Sequence, residues 1–168
     1  MVVERCATDL VKEDPMALRF VAIDPETQNG GSPTVWVDED VREIVIQGWS
    51  AGPELRERIT ATLAPGQEVI RIAARLTPML RRACEEAERL GAGAEAQDSG
   101  LLPVWVDAQA REIVIQGWAA GEELRERVTA TPAPNHQAGI PDGEDVVRLP
   151  ARLVPMLRKA CDEADRLG

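Results

Sequence analysis

The sequence predicts an α+β protein made of two tandem β-β-(α)-β-α modules packed as a pseudo-twofold dimer, with an antiparallel hairpin and a C-terminal amphipathic helix in each. Three observations lead there. The string Ile44-Val45-Ile46-Gln47-Gly48-Trp49 returns unchanged as Ile113-Val114-Ile115-Gln116-Gly117-Trp118. Its flanks repeat too: with Trp36 set on Trp105 and, beyond Pro65 and Pro134, Val69 set on Val146, about 40 positions are identical. Within each copy a stretch of period-two apolar residues comes first and a helical apolar face comes last.

The chain divides into a lead (1–32), copy 1 (33–91), a linker (92–101) and copy 2 (102–168), which carries an inserted loop at 135–142. The lead has no clear period until Leu18-Arg19-Phe20-Val21-Ala22-Ile23, which alternates as a strand does. Copy 2 has no counterpart of this strand, so it is expected to extend or cap a sheet edge on copy 1 alone. Residues 24–33 are rich in turn formers.

In copy 1, Thr34 to Asp38 reads as a strand, 39–42 as a polar turn and Glu43 to Trp49 as the returning strand. Pro53 to Ala61 suits a short helix, with Pro53 and Glu54 in a first turn and Leu55 and Ile59 one turn apart. Strand stays open there, because Leu55, Ile59 and Ala61 also share parity. Glu68 to Ile72 is a third strand. Thr77 is placed to cap a final helix with Pro78 at its first position. Met79, Leu80, Ala83, Cys84, Ala87 and Leu90 line one face of it, and Gly91 ends it. Copy 2 repeats this with Met156, Leu157, Ala160, Cys161, Ala164 and Leu167.

With a four-residue loop, Val35, Val37, Ile44 and Ile46 share one face of the hairpin. Trp36, Val45, Gln47 and Trp49 share the other. Both faces are apolar, but each module has one long helix. A unit of about 60 residues is also marginal alone. The second copy is therefore the expected cover for the second face. The linker reaches about 30 Å when extended, enough for that packing.

Composition narrows the function classes. The net charge of −10 is spread as −3, −2, −2 and −3 over lead, copy 1, linker and copy 2, so there is no acidic tail and no basic module. Nucleic-acid binders gather positive charge for phosphate contacts, and this balance speaks against them. No run of about 18 apolar residues suggests a membrane span, and the start of the chain lacks a signal-peptide pattern. The expected location is the cytoplasm. Cys6, Cys84 and Cys161 form neither a disulfide framework nor a zinc spacing. Cys84 and Cys161 are equivalent, and small buried residues are expected there.

The scan for chemistry is mostly negative, and the chain reads as no enzyme. His136 is the single histidine and lies in the insertion, so no Ser-His or Cys-His pair and no His-based metal site is duplicated. No catalytic, cofactor-binding or metal-binding residue is assigned and no cofactor is expected. The repeated carboxylates Asp38/Asp107, Glu43/Glu112 and Glu54/Glu123 have the composition of an acid-base pair, but turn, strand-end and helix-start roles explain them more simply. Trp36, Gln47 and Trp49, with Trp105, Gln116 and Trp118, form the candidate interface. Tryptophan concentrates at binding hot spots, and glycine in a strand marks a bulge or a close backbone approach. The plainer reading fills the space between the copies with the same tryptophans.

The run Val146 to Leu153, a strand leading through Pro150 into a helix, resembles the opening of ribbon-helix-helix and swapped-hairpin DNA-binding proteins over about 20 residues, though Ala73 replaces the proline in copy 1. Arg71 and Arg148 in the third strands would be the contacts of a DNA-binding reading. A second helix is missing. More broadly, Phe20-Val21-Ala22-Ile23-Asp24-Pro25-Glu26, Pro33 to Asp38, Ile46 to Trp49 and Val147 to Pro155 resemble short, uncharacterised actinobacterial proteins encoded near helix-turn-helix developmental regulators. That resemblance implies no catalytic residues. Those relatives carry one module, so the duplication here would replace a homodimer by a covalent pseudo-dimer, which leaves further self-association open. The expected function is a non-enzymatic protein-protein interaction or regulatory accessory role, with another protein such as a transcriptional regulator as partner. The alternatives are a DNA-binding regulator that uses the third strands and a structural subunit of a larger assembly.

Overall fold

The computed structural model describes residues 18–24, 33–59, 65–89, 103–132, 140 and 143–167. The lead before Leu18, the linker 92–101, His136 and all of the insertion but Ile140 lie outside them. Alternating β-branched residues form the hairpin of β2 (Thr34–Asp38) and β3 (Glu43–Ser50), paired so that Val37 faces Ile44 and Trp36 faces Val45. Asp38 organises the turn: its Oδ1 accepts the amide N–H of Asp40 at 3.0 Å, and its carbonyl accepts that of Arg42 at 2.8 Å. Arg42 closes the four-residue loop in the left-handed region, at φ 58°. The second hairpin, β5 (Val104–Asp107) and β6 (Glu112–Ala119), repeats the device with Asp107 and with Arg111 at φ 58°. The extra strand β1 (Leu18–Ile23) pairs antiparallel with the outer edge of β2, so it does extend the sheet on copy 1.

The third strands are exchanged between the copies. β4 (Gln67–Ala73) of copy 1 pairs along its whole length with β6 of copy 2, from Gln67 opposite Trp118 to Ala73 opposite Glu112. β7 (Glu144–Pro150) of copy 2 pairs in the same way with β3 of copy 1, from Glu144 opposite Trp49 to Pro150 opposite Glu43. Each third strand meets its own hairpin only at the far end, where Trp49 and Ser50 pair with Arg71 and Ile70, and Trp118 and Ala119 with Arg148 and Val147. The ladder β3–β7–β6–β4 thus returns to β3 within one seven-stranded antiparallel sheet.

The repeated glycine makes that crossing possible. A Cβ on Gly48 would stand 3.0 Å from the Arg71 carbonyl oxygen and 3.1 Å from the Ile72 side chain. One on Gly117 would stand 3.0 Å from the Arg148 carbonyl oxygen. The glycine marks a close backbone approach in both copies.

Four helices among the described residues complete a mixed α+β fold. The long helices α2 (Thr77–Arg89) and α4 (Val154–Asp165) lie side by side over one face of the sheet. Most of their expected apolar faces are buried, with Leu80, Ala83, Cys84, Leu157 and Cys161 packed on Ile44, Ile46, Ile113 and Ile115. Met156 and Leu167 are half-buried, and Leu90 and Gly91 lie outside the described residues. Arg81 reaches Asp165 at 2.8 Å and Arg158 reaches Glu88 at 2.9 Å, so the helices run antiparallel. Thr77 is not a cap. A 3-10 turn, Ala74–Leu76, leads straight into α2, and the Thr77 hydroxyl donates to Asp165 Oδ1 at 2.7 Å. Its counterpart is Val154, so the second helix starts without such a group.

The short helices α1 (Pro53–Arg58) and α3 (Glu122–Ala130) cover the opposite face, each over the other copy's tryptophan. Leu124 and Val128 of α3 pack on Trp36 and Val45. Leu55 of α1, with Ile59 just beyond it, packs on Trp105 and Val114.

Candidate functional site

The six residues singled out in the repeated strings are dispersed by the fold. Gln47 and Gln116 are buried and tie the copies together, each donating through Nε2 to the first residue of the other copy's third strand. For Gln47 the acceptor is Glu144 Oε1, at 2.7 Å, and for Gln116 it is Gln67 Oε1. These bonds satisfy amides that would otherwise be costly to bury. Burial pushes the Glu144 carboxyl above its ordinary value, partly offset by the bond from Gln47. Trp36 is 2% exposed, and its indole N–H donates to the Thr131 carbonyl at 2.8 Å. Trp49 is half-buried at the crossing, and Trp118 packs partly on the main core.

Trp105 differs. It is half-buried and lines a groove of about 410 Å³ between α1 and the turn after β5, together with Leu55, Arg58, Ile59, Asp107 and Val114. At the equivalent place over Trp36 the space is closed. Leu18 and Phe20 of β1 and Ile140 of the insertion pack there, and Arg127 Nη1 lies 3.2 Å from Asp38 Oδ2. Arg58, the counterpart of Arg127, is exposed at the rim of the open groove.

The repeated carboxylates are structural where their contacts are seen. Asp38 and Asp107 hold turns. Glu43 pairs with Arg148 and Glu112 with Arg71, each at 3.0 Å and each across the copies. Burial pushes Glu43 up, and the Arg148 guanidinium opposes that shift. Glu54 and Glu123 are exposed in the first turns of α1 and α3. The third-strand arginines, Arg71 and Arg148, are therefore the other halves of two interstrand ion pairs. Cys84 and Cys161 are free, buried thiols, pushed up by burial to about 12 and about 11. Among the described residues no group of three or more His, Cys, Asp or Glu side chains is placed to hold a metal ion, and no helix is long and apolar enough to cross a membrane.

No family model matches the chain, and no curated protein and no solved structure matches it. The Trp105 groove therefore rests on its own geometry. In the sequence Trp105 is indistinguishable from Trp36, because the strands that carry them are identical. The signal that separates them is the strand Leu18–Ile23, which copy 2 lacks.

Proposed function

We propose that this chain is a non-enzymatic protein-recognition factor, a covalent pseudo-twofold dimer of two modules that binds a partner protein through the open groove at Trp105. One observation carries the reading: of two tryptophans at equivalent positions, Trp36 is closed over and Trp105 is left half-covered beside apolar Leu55, Ile59 and Val114. Tryptophan is enriched among the anchors of binding hot spots, and here it sits between apolar Leu55, Ile59 and Val114 and polar Arg58, Asp107 and Gln109. The free thiols at Cys84 and Cys161 suit a reducing compartment such as the cytoplasm. A regulatory accessory role beside a transcription factor agrees with the resemblance of the modules. Direct nucleic-acid binding through the third strands has less support, since Arg71 and Arg148 are committed to Glu112 and Glu43.

The test is retention of one defined protein from host lysate by the tagged full chain, followed by titration with that protein purified. Binding is expected to weaken about ten-fold or more with Trp105→Ala and to be unchanged by Arg82→Ala, at an exposed helix position. Equal binding by wild type and Trp105→Ala, or no retained protein, counts against the reading.

A further inference from the structure

We propose that the outer edge of β5 is a strand-accepting site whose occupant is an extended segment of a partner protein, apolar on both faces and carrying one basic residue. This rests on the recognition reading above and gives it a binding mode, β-strand addition.

The chain contains its own template. β2 and β5 are equivalent strands. β2 is flanked by β3 on one side and β1 on the other. β5 pairs with β6, and among the described residues no strand lies on its other edge. A bare edge presents unpaired N–H and C=O groups to any extended chain.

Among the described residues, what β1 supplies at β2 has no counterpart at β5 on either face. On one face Leu18 and Phe20 pack with Trp36. The corresponding place over Trp105 is the groove of about 410 Å³. On the other face Val21 and Ala22 join the main core beside α2. The corresponding place between β5 and α4 is a second groove of about 450 Å³, lined by Val104, Val106, Met156 and Ala160 with the charged side chains Lys159 and Glu163. Val35 and Val37 are fully buried, whereas their counterparts Val104 and Val106 are half-buried. Hollows on both faces of one bare edge are what an absent strand leaves, since side chains of a strand alternate between faces. A compact small ligand would need only one of them.

Charge selects the occupant. In copy 1 the Arg19 guanidinium of β1 lies 2.9 Å from Glu86 on α2. Glu163 holds the equivalent position on α4 and lines the second groove; it pairs with Arg166 at 2.7 Å, as Glu86 pairs with Arg89 at 2.8 Å while still accepting Arg19. An incoming strand with Arg or Lys one residue after its first apolar anchor would meet it. A second copy offering its own β5 would bring Val104-Trp105-Val106-Asp107, which has no basic residue, on a chain of net charge −10.

The probe is a labelled peptide with the sequence of residues 17–24, titrated with the full-length chain by fluorescence anisotropy. Saturable one-to-one binding is expected, weakened about ten-fold or more by Trp105→Ala. Glu163→Arg should weaken it as well, and a peptide carrying Glu in place of the Arg19 equivalent should recover the loss. Glu163 is exposed, so that arm stays readable even if Trp105→Ala loosens the fold. No saturable binding, or binding that neither variant alters, overturns the proposal. A concentration-dependent dimer that Val106→Lys dissolves would assign the edge to a second copy and overturn the partner segment. If a cellular partner is held through Trp105 while the peptide fails to bind, strand addition is wrong and protein recognition stands. If the peptide binds with the expected charge-swap but no cellular partner is retained, the strand site stands and the recognition reading is the one that failed.

Discussion

Trp36 and Trp105 occupy the same place in two copies of nearly one sequence, each facing the short helix of the other copy. One is 2% exposed and hydrogen-bonded; the other lies half-buried at the wall of a groove. Their own strands do not explain this, because Val35-Trp36-Val37-Asp38 and Val104-Trp105-Val106-Asp107 are identical. The difference comes from outside the repeat, from Leu18 and Phe20 upstream and Ile140 in the insertion. Duplication supplied two equal sites, and segments present only around copy 1's tryptophan closed one of them.

Unequal tryptophans should have unequal energetic weight. Trp36→Ala removes a fully packed side chain and is expected to cost about 3–5 kcal/mol, while Trp105→Ala, already partly solvated, should cost about 1–2 kcal/mol. Chemical denaturation of both variants at neutral pH measures the gap, and equal losses would break the comparison. The glycines should behave oppositely, as true equivalents. Gly48→Ala and Gly117→Ala each push a methyl against a strand backbone at 3.0 Å, so each should cost about 1–3 kcal/mol and the two values should agree. A clear inequality in the same denaturation series would show that the crossings differ in rigidity.

The smallest expected effect concerns Glu144, which stands where copy 1 has Gln67. Burial raises its carboxyl, so the unfolded chain ionises it more readily. The charge then disfavours the fold above the folded-state value, and this penalty disappears below the unfolded value near about pH 4.3. Glu144→Gln should therefore stabilise by only about 0.5 kcal/mol at pH 7, since the group keeps some solvent access. The gain should vanish near pH 4. Thermal melts at the two pH values check the sign, and a gain that grows with acidity would reverse the assignment.

The parity of the hairpins made their register and both apolar faces legible, and the spacing of Met79, Leu80, Ala83, Cys84 and Ala87 gave the buried face of α2. The exchange of third strands was not legible. β3 and β6 carry the same Ile-Val-Ile-Gln-Gly-Trp string, so β4 meets the same local chemistry on either hairpin, and only the path of the chain decides between them. Thr77 misled as a cap because its hydroxyl serves a tertiary bond to Asp165 in place of a helix end. In the candidate interface, alternation placed Trp36 and Gln47 on one face but carried no information about what covers it. The inequality of Trp36 and Trp105 depended on a six-residue strand upstream, whose position against β2 follows from pairing and not from the repeat.

The ring of β3, β7, β6 and β4 also orders events during synthesis. When β3 leaves the ribosome, the strand that will pair with its open side is still roughly a hundred residues from being made. The first module can form its hairpin, but it cannot complete its ladder until the second module has been translated almost to its end. Within one chain the ladder therefore closes only once both modules have been made. A stop between the modules would leave the open side of β3 to be filled only by the β4 of a second copy of the fragment, whereas a cut between them after folding would leave two pieces held by each other's strands.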